Sequence, residues 1–316
     1  MDQPTNTANE KMTRLTLLAI VAGLLLTLHL SSPPQRGLWA QVFFNSLHVP
    51  VFGLIAVSLY AAIPERRGYQ RIILAFVATA VLSVLSEAAQ INSARDASFN
   101  DLIADWFGAA GFLSVVAAVS GRYSDTRGKR ILTSFLAITL LGWSLLPLAK
   151  VSAAYIDRNS HVPLLVNFNS AGGDLFIHKQ NIDFQIVRSP DDHRKVARIK
   201  FGAGPWPGAA FHDLWPDWRD FSNLIIELSI EGSEALEFNV RVHDQAHRQY
   251  NQAYTDRFTR SFTLEPGKHT LQILLEDIRK APRDRQMDLS RIEEIIVFCR
   301  ASGVDRTIHL YEIRLQ

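Results

Sequence analysis

The chain has 316 residues, enough for two domains of about 150 residues each, and its charge is unevenly divided. Residues 1–150 hold 12 basic and 8 acidic side chains, whereas residues 151–316 hold 21 and 23. This division excludes a uniform globular fold and a disordered chain. The slightly acidic second half also excludes a nucleic-acid partner bound by a basic surface. Cys299 is the only cysteine, which excludes disulfides within the chain and a cysteine-based zinc cluster.

Five apolar stretches in the first half are close to the ~17–25 residues that a helix needs to cross a bilayer. We therefore predict an α-helical polytopic membrane domain over residues 1–150. The first stretch is expected to be a retained helix, because residues 28–34 offer no small-x-small site for signal-peptide cleavage. The predicted spans are residues 15–30, 47–63, 72–91, 102–119 and 131–148.

The basic residues of the loops predict the orientation of these spans. Loop 64–71 holds three arginines and loop 120–130 holds four basic residues, whereas the alternate loops hold only Arg36 and Arg95. Basic loops face the cytoplasm. Five spans from a cytoplasmic N-terminus then leave the second half outside. The sequence predicts a multi-pass protein of the bacterial inner membrane with a periplasmic or extracellular C-terminal domain.

Several polar residues lie near the predicted outer boundary of the membrane, where ionisable groups are costly and commonly functional. They come from the start of the second span, the end of the third, the loop that follows, and the start of the fourth. On a helix, residues three or four apart share a face. The residues concerned are His48, Glu87, Gln90, Arg95, Asp101 and Asp105.

Three segments in this region resemble the VanZ-like family: residues 48–52 (HVPVF), 86–90 (SEAAQ) and 95–108 (RDASFNDLIADWFG). The resemblance covers about residues 15–120. The family pattern often has Asn where this chain has Asp105, so this chain carries an additional carboxylate. The resemblance implies a small polytopic membrane protein associated with resistance to glycopeptides of the teicoplanin type.

Three interpretations of the polar group are open. The side chains could join the helices by hydrogen bonds. They could bind an anionic or glycan-bearing lipid headgroup, with Arg95 holding a phosphate. They could also be catalytic, with Glu87, Asp101 or Asp105 as general acid or base. A metal held by His48 and these carboxylates is a variant of the catalytic interpretation. Because no metal-ligand motif is present, no metal is predicted.

The second half is predicted to be an all-β jelly roll or sandwich, joined by a linker at residues 151–162. Short stretches with alternating apolar and polar residues indicate strands, and Gly and Pro separate them. No long helix is expected between residues 163 and 316. The predicted strands are residues 164–168, 184–187, 196–201, 224–230, 236–242, 258–262, 269–274, 294–298 and 308–315.

This half resembles galactose-binding-like domains of the kind found in carbohydrate-binding modules. The residues that carry the resemblance are 206–208, 217–221, 242–244, 254–258, 264–267 and the final strand 310–315. It implies a β-sandwich that binds carbohydrate. Such domains often have an aspartate in the final strand that helps to hold calcium. Here Glu312 occupies that place, so a structural calcium is doubtful and no cofactor is predicted.

Sugar binding needs aromatic faces together with convergent polar groups. Two segments combine aromatic rings with polar groups and supply the candidate binding residues. Trp218, by contrast, is expected in the core. Asp256 and Arg257 are expected to form a structural ion pair. The candidates are Trp206, His212 and Trp215 in the first segment and His243, Asp244, His247 and Tyr250 in the second.

The predicted function is recognition of a cell-envelope glycan or a lipid-linked glycan, with an effect on glycopeptide sensitivity. Membrane lipids and a glycan are the expected partners. Two alternatives are a membrane enzyme acting on a lipid-linked substrate at the outer leaflet, and a scaffold whose sandwich binds another protein. An enzyme requires the carboxylates to surround an open cavity, whereas a scaffold allows them to be buried. Catalysis is left open by the sequence.

Overall fold

The computed structural model describes residues 4–30, 37–65, 69–90, 99–170, 172–189, 193–300 and 306–316. The chain divides into two compact units, Met1–Lys150 and Val151–Gln316. The first unit is helical, and the second is built mainly of β-strands.

Six α-helices precede the first strand in the described part of the chain: α1 (Pro4–Leu30), α2 (Leu38–Ser46), α3 (His48–Ala62), α4 (Gln70–Gln90), α5 (Phe99–Val119) and α6 (Arg127–Ser160). Among the described residues, four helical stretches are long and apolar enough to cross a membrane: Leu38–Ala62, Gln70–Ala89, Phe99–Val119 and Arg127–Ser160. A shorter apolar stretch covers Met12–Thr27. Each of the five predicted spans overlaps one of these stretches. Membrane crossing itself stays a prediction.

Helix α3 lies at the centre of the helical unit, against α1, α4 and α5. Its Phe52 and Ile55 are fully buried and pack with Val21 of α1. On the side of α5, Gly108 has no side chain, and a Cβ atom there would collide with the carbonyl oxygen of Val49. This glycine therefore allows the two helices to approach closely.

The second unit is a sandwich of two antiparallel sheets. Sheet I has the order β3-β4-β11-β6-β9, with β1 beside β11, and sheet II has the order β2-β5-β10-β7-β8. A short helix, α7 (Leu275–Lys280), follows β9. The strands are β1 (Leu164–Asn167), β2 (Ile177–Gln180), β3 (Ile182–Arg188), β4 (Lys195–Phe201), β5 (Gly208–His212), β6 (Asn223–Glu231), β7 (Leu236–Asp244), β8 (Phe258–Leu264), β9 (Gly267–Leu274), β10 (Ile292–Cys299) and β11 (Arg306–Leu315).

The hydrophobic core lies between the two sheets. Inward-facing residues of both sheets form one cluster, with Phe238 and Val240 of sheet II and Leu228 and Ile308 of sheet I all buried. Trp218 is fully buried, and its indole N–H donates a hydrogen bond to the carbonyl of Trp215 at 2.8 Å. Burial of each large apolar side chain stabilises the sandwich by about 1.5–3 kcal/mol relative to leaving it exposed.

The segment expected to be a linker, residues 151–162, is instead helical as far as Ser160, because α6 continues into it. Residues 152–162 contain no Gly or Pro that would end the helix earlier, and Pro163 follows them. Packing within the second unit also favours the helix. Tyr155 makes an edge-to-face contact with Phe176, with ring centroids 5.1 Å apart. The Arg158 guanidinium lies over the Phe176 ring.

Candidate functional site

The outward face of sheet II carries a groove of about 560 Å³. Side chains alternate between the two faces of a strand. Along β7, this alternation directs Phe238 and Val240 into the core and Glu237, Asn239 and Arg241 into the groove. The alternation of apolar and polar residues that predicted this strand therefore also supplies the polar side chains of the groove.

The floor of the groove is formed by three adjacent strands. Register pairs Asn239 with Ser261 of β8 on one side and with Phe298 of β10 on the other. The Ser261 hydroxyl donates a hydrogen bond to the Asn239 side-chain oxygen at 2.6 Å. Ile296 and Phe298 add apolar surface to this floor. The floor thus combines polar groups with hydrophobic contact area.

Two exposed aromatic side chains line the groove. Trp206 is 59% exposed and meets the edge of Phe298, with ring centroids 5.8 Å apart and an interplanar angle of 76°. Tyr254, in the loop between β7 and β8, is 69% exposed, and the Arg257 guanidinium lies 4.8 Å from its ring centroid. Both rings leave much of their surface accessible for stacking.

The backbone at Trp206 is unusual. Its φ angle is +52°, a region that bulky side chains rarely adopt. Such strain costs about 1–3 kcal/mol and is found disproportionately at ligand-binding positions. The loop before β5 therefore holds the indole at the groove in a conformation that local backbone preferences disfavour.

A buried network lies beside the groove and includes two of the predicted binding residues. Asp244 is fully buried, and both of its carboxylate oxygens accept hydrogen bonds from Arg285, at 2.6 and 2.7 Å. Arg285 also donates to both oxygens of Asp256, and His247 Nδ1 donates to the same carboxylate at 3.0 Å. His247 Nε2 then accepts a hydrogen bond from Arg241 at 3.1 Å. Through this network, Asp244 and His247 hold the groove residue Arg241 in place and do not line the groove themselves.

The expected ion pair between Asp256 and Arg257 does not form among the described residues. Asp256 is bound by Arg285 and His247, and Arg257 lines the groove and stacks on Tyr254. Arg257 has extended backbone angles (φ −152°, ψ 159°). Because consecutive side chains of an extended chain point to opposite sides, the two neighbours face different surroundings.

His243, another predicted binding residue, is buried beside Glu293 and Glu294, with its Nε2 atom 3.9 and 3.6 Å from their carboxylate oxygens. Burial, and after it the positive charge of Arg241, lower the pKa of His243 to about 3. The carboxylates favour the protonated ring, but desolvation and the nearby cations oppose it more strongly. His243 is therefore neutral at physiological pH.

The other predicted residues of the sandwich lie outside the groove lining. His212 is half-buried and bonds its Nδ1 atom to Asp213, Trp215 packs against the core, and Tyr250 stacks on Arg285. Of the seven residues predicted here, Trp206 lines the groove. Most residues of the groove lining were not predicted from the sequence, among them Glu237, Asn239, Arg241, Tyr254, Arg257, Thr259 and Ser261.

The helical unit contains a second candidate, a buried cluster of His48, Ser83, Glu87 and Asp105. His48 Nδ1 lies 2.8 Å from one Asp105 oxygen, and the Ser83 hydroxyl donates to the other at 2.7 Å. His48, Glu87 and Asp105 each offer a ligand atom within 4.8 Å of the others. This trio could hold a metal ion, an arrangement that the spacing along the chain did not predict.

Asp101 and Asp105 do not share a site, although they are one helical turn apart. Asp105 faces His48, whereas Asp101 lines a separate cavity of about 490 Å³ together with Asn45 and Ser144. Arg95 and the side chain of Gln90 lie outside the described residues. The structure therefore brings together three of the six predicted residues: His48, Glu87 and Asp105.

Glu312 lies in β11, in the place where resembled domains have a calcium-binding aspartate. One of its carboxylate oxygens accepts a hydrogen bond from Arg314 at 2.9 Å, and the other lies 3.7 Å from Arg194. Guanidinium groups therefore neutralise this carboxylate.

No family model matches the chain, and no curated protein matches it. Among solved structures, it is similar to a family 11 carbohydrate-binding module from Clostridium thermocellum in complex with a mixed-linked tetrasaccharide (15% identity, TM-score 0.37, covering 48% of this chain and 93% of that chain). It is also similar to a family 30 carbohydrate-binding module from Clostridium thermocellum (14%, 0.33, 45% and 91%) and to an exo-beta-agarase (23%, 0.36, 45%), of which it covers only 22%.

Proposed function

We propose that this chain is a bacterial envelope protein that is anchored in the membrane by its helical unit and binds a glycan in the groove of sheet II. The observation that carries the proposal is the pair of exposed rings, Trp206 and Tyr254, lining a groove whose floor is polar. Sugars present C–H faces that stack on aromatic rings and hydroxyl groups that need hydrogen-bond partners. The groove supplies both.

The polar floor supports this proposal because its hydrogen-bonding groups are held in place. The Ser261–Asn239 hydrogen bond orients the Asn239 amide. The Arg241 side chain is held by His247, which is fixed in turn by Asp256. Preorganised polar groups lose little conformational entropy when a ligand binds. A groove of about 560 Å³ also falls within the size range of small-molecule sites.

The proposed glycan binding is tested by removing the two exposed aromatic rings one at a time. Trp206→Ala and Tyr254→Ala are each expected to weaken binding of a soluble polysaccharide about tenfold, or about 1.4 kcal/mol, because each loses a stacking surface. Tyr250→Ala is the matched control, since this half-exposed ring lies outside the groove lining. The measurement is the retardation of the full chain in native gels containing mixed-linkage β-glucan or polygalacturonate, in a detergent without a sugar headgroup. Failure of the wild-type chain to bind either polymer, or wild-type binding by both groove variants, would contradict the proposal.

The proposed anchoring follows from the four long apolar helices, from the shorter apolar stretch Met12–Thr27 as a fifth span, and from the basic loops between the spans. The N-terminus and the loops at residues 64–71 and 120–130 would face the cytoplasm, and the sandwich would face the periplasm or the cell surface. The groove would then meet glycans of the envelope or the sugars of lipid-linked precursors. Because residues 48–52, 86–90 and 95–108 resemble VanZ-like proteins, the proposed function includes an effect on sensitivity to teicoplanin-type glycopeptides.

Orientation is tested with an alkaline phosphatase reporter, which is active only outside the cytoplasm. We expect activity when it is fused after Gln316 and none when it is fused after Lys129. The reverse pattern would overturn the proposed orientation. Protein abundance of the two fusions, measured by immunoblot, controls for unequal expression.

A second candidate function is a membrane enzyme acting on a lipid-linked substrate. The observation that favours it is the convergence of His48, Glu87 and Asp105 from three helices. All three side chains are buried, however, and Asp101 lines a different cavity. The accessible groove therefore makes glycan binding the preferred function.

A further inference from the structure

The groove of sheet II carries more positive charge than hydroxyl recognition requires. Three arginines line it, Arg241, Arg257 and Arg300, against one acidic residue, Glu237. A smaller cavity of about 220 Å³ shares Tyr254 and Arg257 with the groove and adds Arg283. The positive surface thus extends past Tyr254 to this second cavity.

Two of these arginines, both half-buried, lack an acidic partner within ion-pair distance among the residues that the structure describes. Among the described residues, no carboxylate lies within 4.0 Å of the guanidinium nitrogens of Arg241 or Arg257. Arg241 donates to His247, and Arg257 stacks on Tyr254. In the described part of the chain, the Nε–H groups of both arginines and the Thr259 hydroxyl are buried without a hydrogen-bond partner. Donors buried in this way are costly unless a ligand satisfies them.

Several other arginines of the sandwich are paired with carboxylates. Arg285 is bound by two aspartates, Arg260 pairs with Asp277 at 2.7 Å, and Arg248 pairs with Glu293 at 2.9 Å. Arg260 follows the groove residue Thr259 directly on the same strand. Arg241 and Arg257 therefore differ from these three arginines, each of which has a carboxylate within hydrogen-bonding distance.

We propose that the groove selects an acidic glycan, with a carboxylate or phosphate group of the sugar chain held by Arg241 and Arg257. This inference rests on the proposed glycan-binding function and names its ligand class. A guanidinium binds a carboxylate or a phosphate through two parallel N–H···O bonds. Trp206 and Tyr254 stack on the sugar rings beside the charged group, and the Thr259 hydroxyl supplies a further hydrogen bond.

The electrostatics of the groove agree with this assignment. Burial, and after it the like charge of Arg257, lower the pKa of Arg241 to about 10, while the carboxylate of Glu294 opposes this shift. Burial also lowers the pKa of Arg257. Both groups are still cationic at neutral pH, and an anion between them would relieve their repulsion and their loss of hydration. The His247–Asp256 contact holds Arg241 in place for this role.

The test compares polymers that differ in charge on one backbone. Polygalacturonate and its methyl ester have the same sugar chain, but only the first carries free carboxylates. A phosphomannan and its dephosphorylated form likewise share one sugar chain, and only the first carries phosphate groups. We expect the full chain to bind at least one acidic polymer about tenfold or more tightly than its neutral counterpart. The pair that shows the difference identifies the anion. Equal affinity for the acidic and neutral forms in both pairs would overturn the inference.

Variants separate this inference from the proposed function. Arg241→Gln and Arg257→Gln are each expected to remove the preference for the acidic polymer while binding of neutral mixed-linkage β-glucan persists. Arg260→Gln, on β8 next to the groove residue Thr259 but outside the groove lining, is expected to keep the preference. If both arginine variants weaken binding of the neutral β-glucan as much as binding of the acidic polymer, the arginines do not select the anion and the inference is overturned. Retention of the full preference by both groove variants would exclude the arginine pair as the anion site. If no polymer binds at all, the glycan-binding function itself fails.

Discussion

Replacement of Arg285 by methionine is expected to destabilise the sandwich by about 3–5 kcal/mol. The Arg285 side chain is 13% exposed and donates hydrogen bonds to both oxygens of Asp244 and of Asp256. Methionine fills a similar volume but leaves two buried carboxylates without their cation. An uncompensated buried charge costs more than the net contribution of the intact ion pair.

Hydrogen exchange of the β7 and β10 amides in the full chain measures this loss, because these central strands of sheet II open only when the sandwich unfolds. The matched control is Arg219→Met, whose ion pair with Asp217 is at the surface and is expected to contribute little. Adding Asp244→Asn and Asp256→Asn to Arg285→Met should recover part of the stability, because it removes the unpaired charges. Equal protection in Arg285→Met and Arg219→Met would contradict the prediction.

The sandwich architecture was predictable because most of its strands alternate apolar and polar residues. Strands β2 and β5 were missed for a physical reason. The sequence of β2 (IHKQ) is short and largely polar, and that of β5 (GAAFH) lacks the β-branched residues that favour strands. Their partners in sheet II compensate for these weak local preferences.

The groove was harder to predict, because its residues come from several strands and loops that are distant in sequence. The prediction grouped residues by their closeness along the chain, which brought His243, Asp244 and His247 together. Side chains of adjacent strand residues point to opposite faces, so Asp244 entered the buried network. Arg241 reaches the groove at a position where β7 pairs with β8 and β10, and this register is not readable from the sequence.

The helical cluster was anticipated only in part. The polar residues near the membrane boundary were recognised, but Ser83 was not included, and Asp101 was expected beside Asp105. Gly108 explains the outcome, because it allows α5 to contact the α3 backbone at Val49, next to His48. That close approach brings Asp105 to the histidine. One turn earlier, Asp101 lines another cavity.

Acidification from about pH 6.5 is expected to destabilise the sandwich through His243. In the unfolded chain this histidine takes up a proton near its ordinary pKa of about 6.5. In the folded chain it is 5% exposed. Burial, and after it the charge of Arg241, lower its pKa to about 3. Glu293 and Glu294, 3.9 and 3.6 Å from its Nε2 atom, only partly oppose this shift.

The sign follows from proton linkage. Between about pH 6.5 and 3, the unfolded chain holds a proton on His243 that the folded chain does not, so the free energy of unfolding falls as the pH falls. The slope approaches about 1.4 kcal/mol per pH unit, which amounts to about 2 kcal/mol between pH 6.5 and 5. Above about pH 7.5 both states are neutral at this position, and the dependence disappears.

His243→Gln removes the titrating group and is expected to flatten the pH profile of stability between pH 7.5 and 5. Hydrogen exchange of the β7 amides, corrected for intrinsic exchange rates at each pH, supplies the free energy of opening. His269→Gln, on strand β9 of sheet I, controls for the general effect of losing a histidine and should keep the wild-type slope. Because the expected effect is a difference in slope, a uniform loss of stability in the variant does not imitate it. A wild-type profile that is flat over this range, or a His243→Gln profile as steep as that of the wild type, would exclude His243 as the residue responsible.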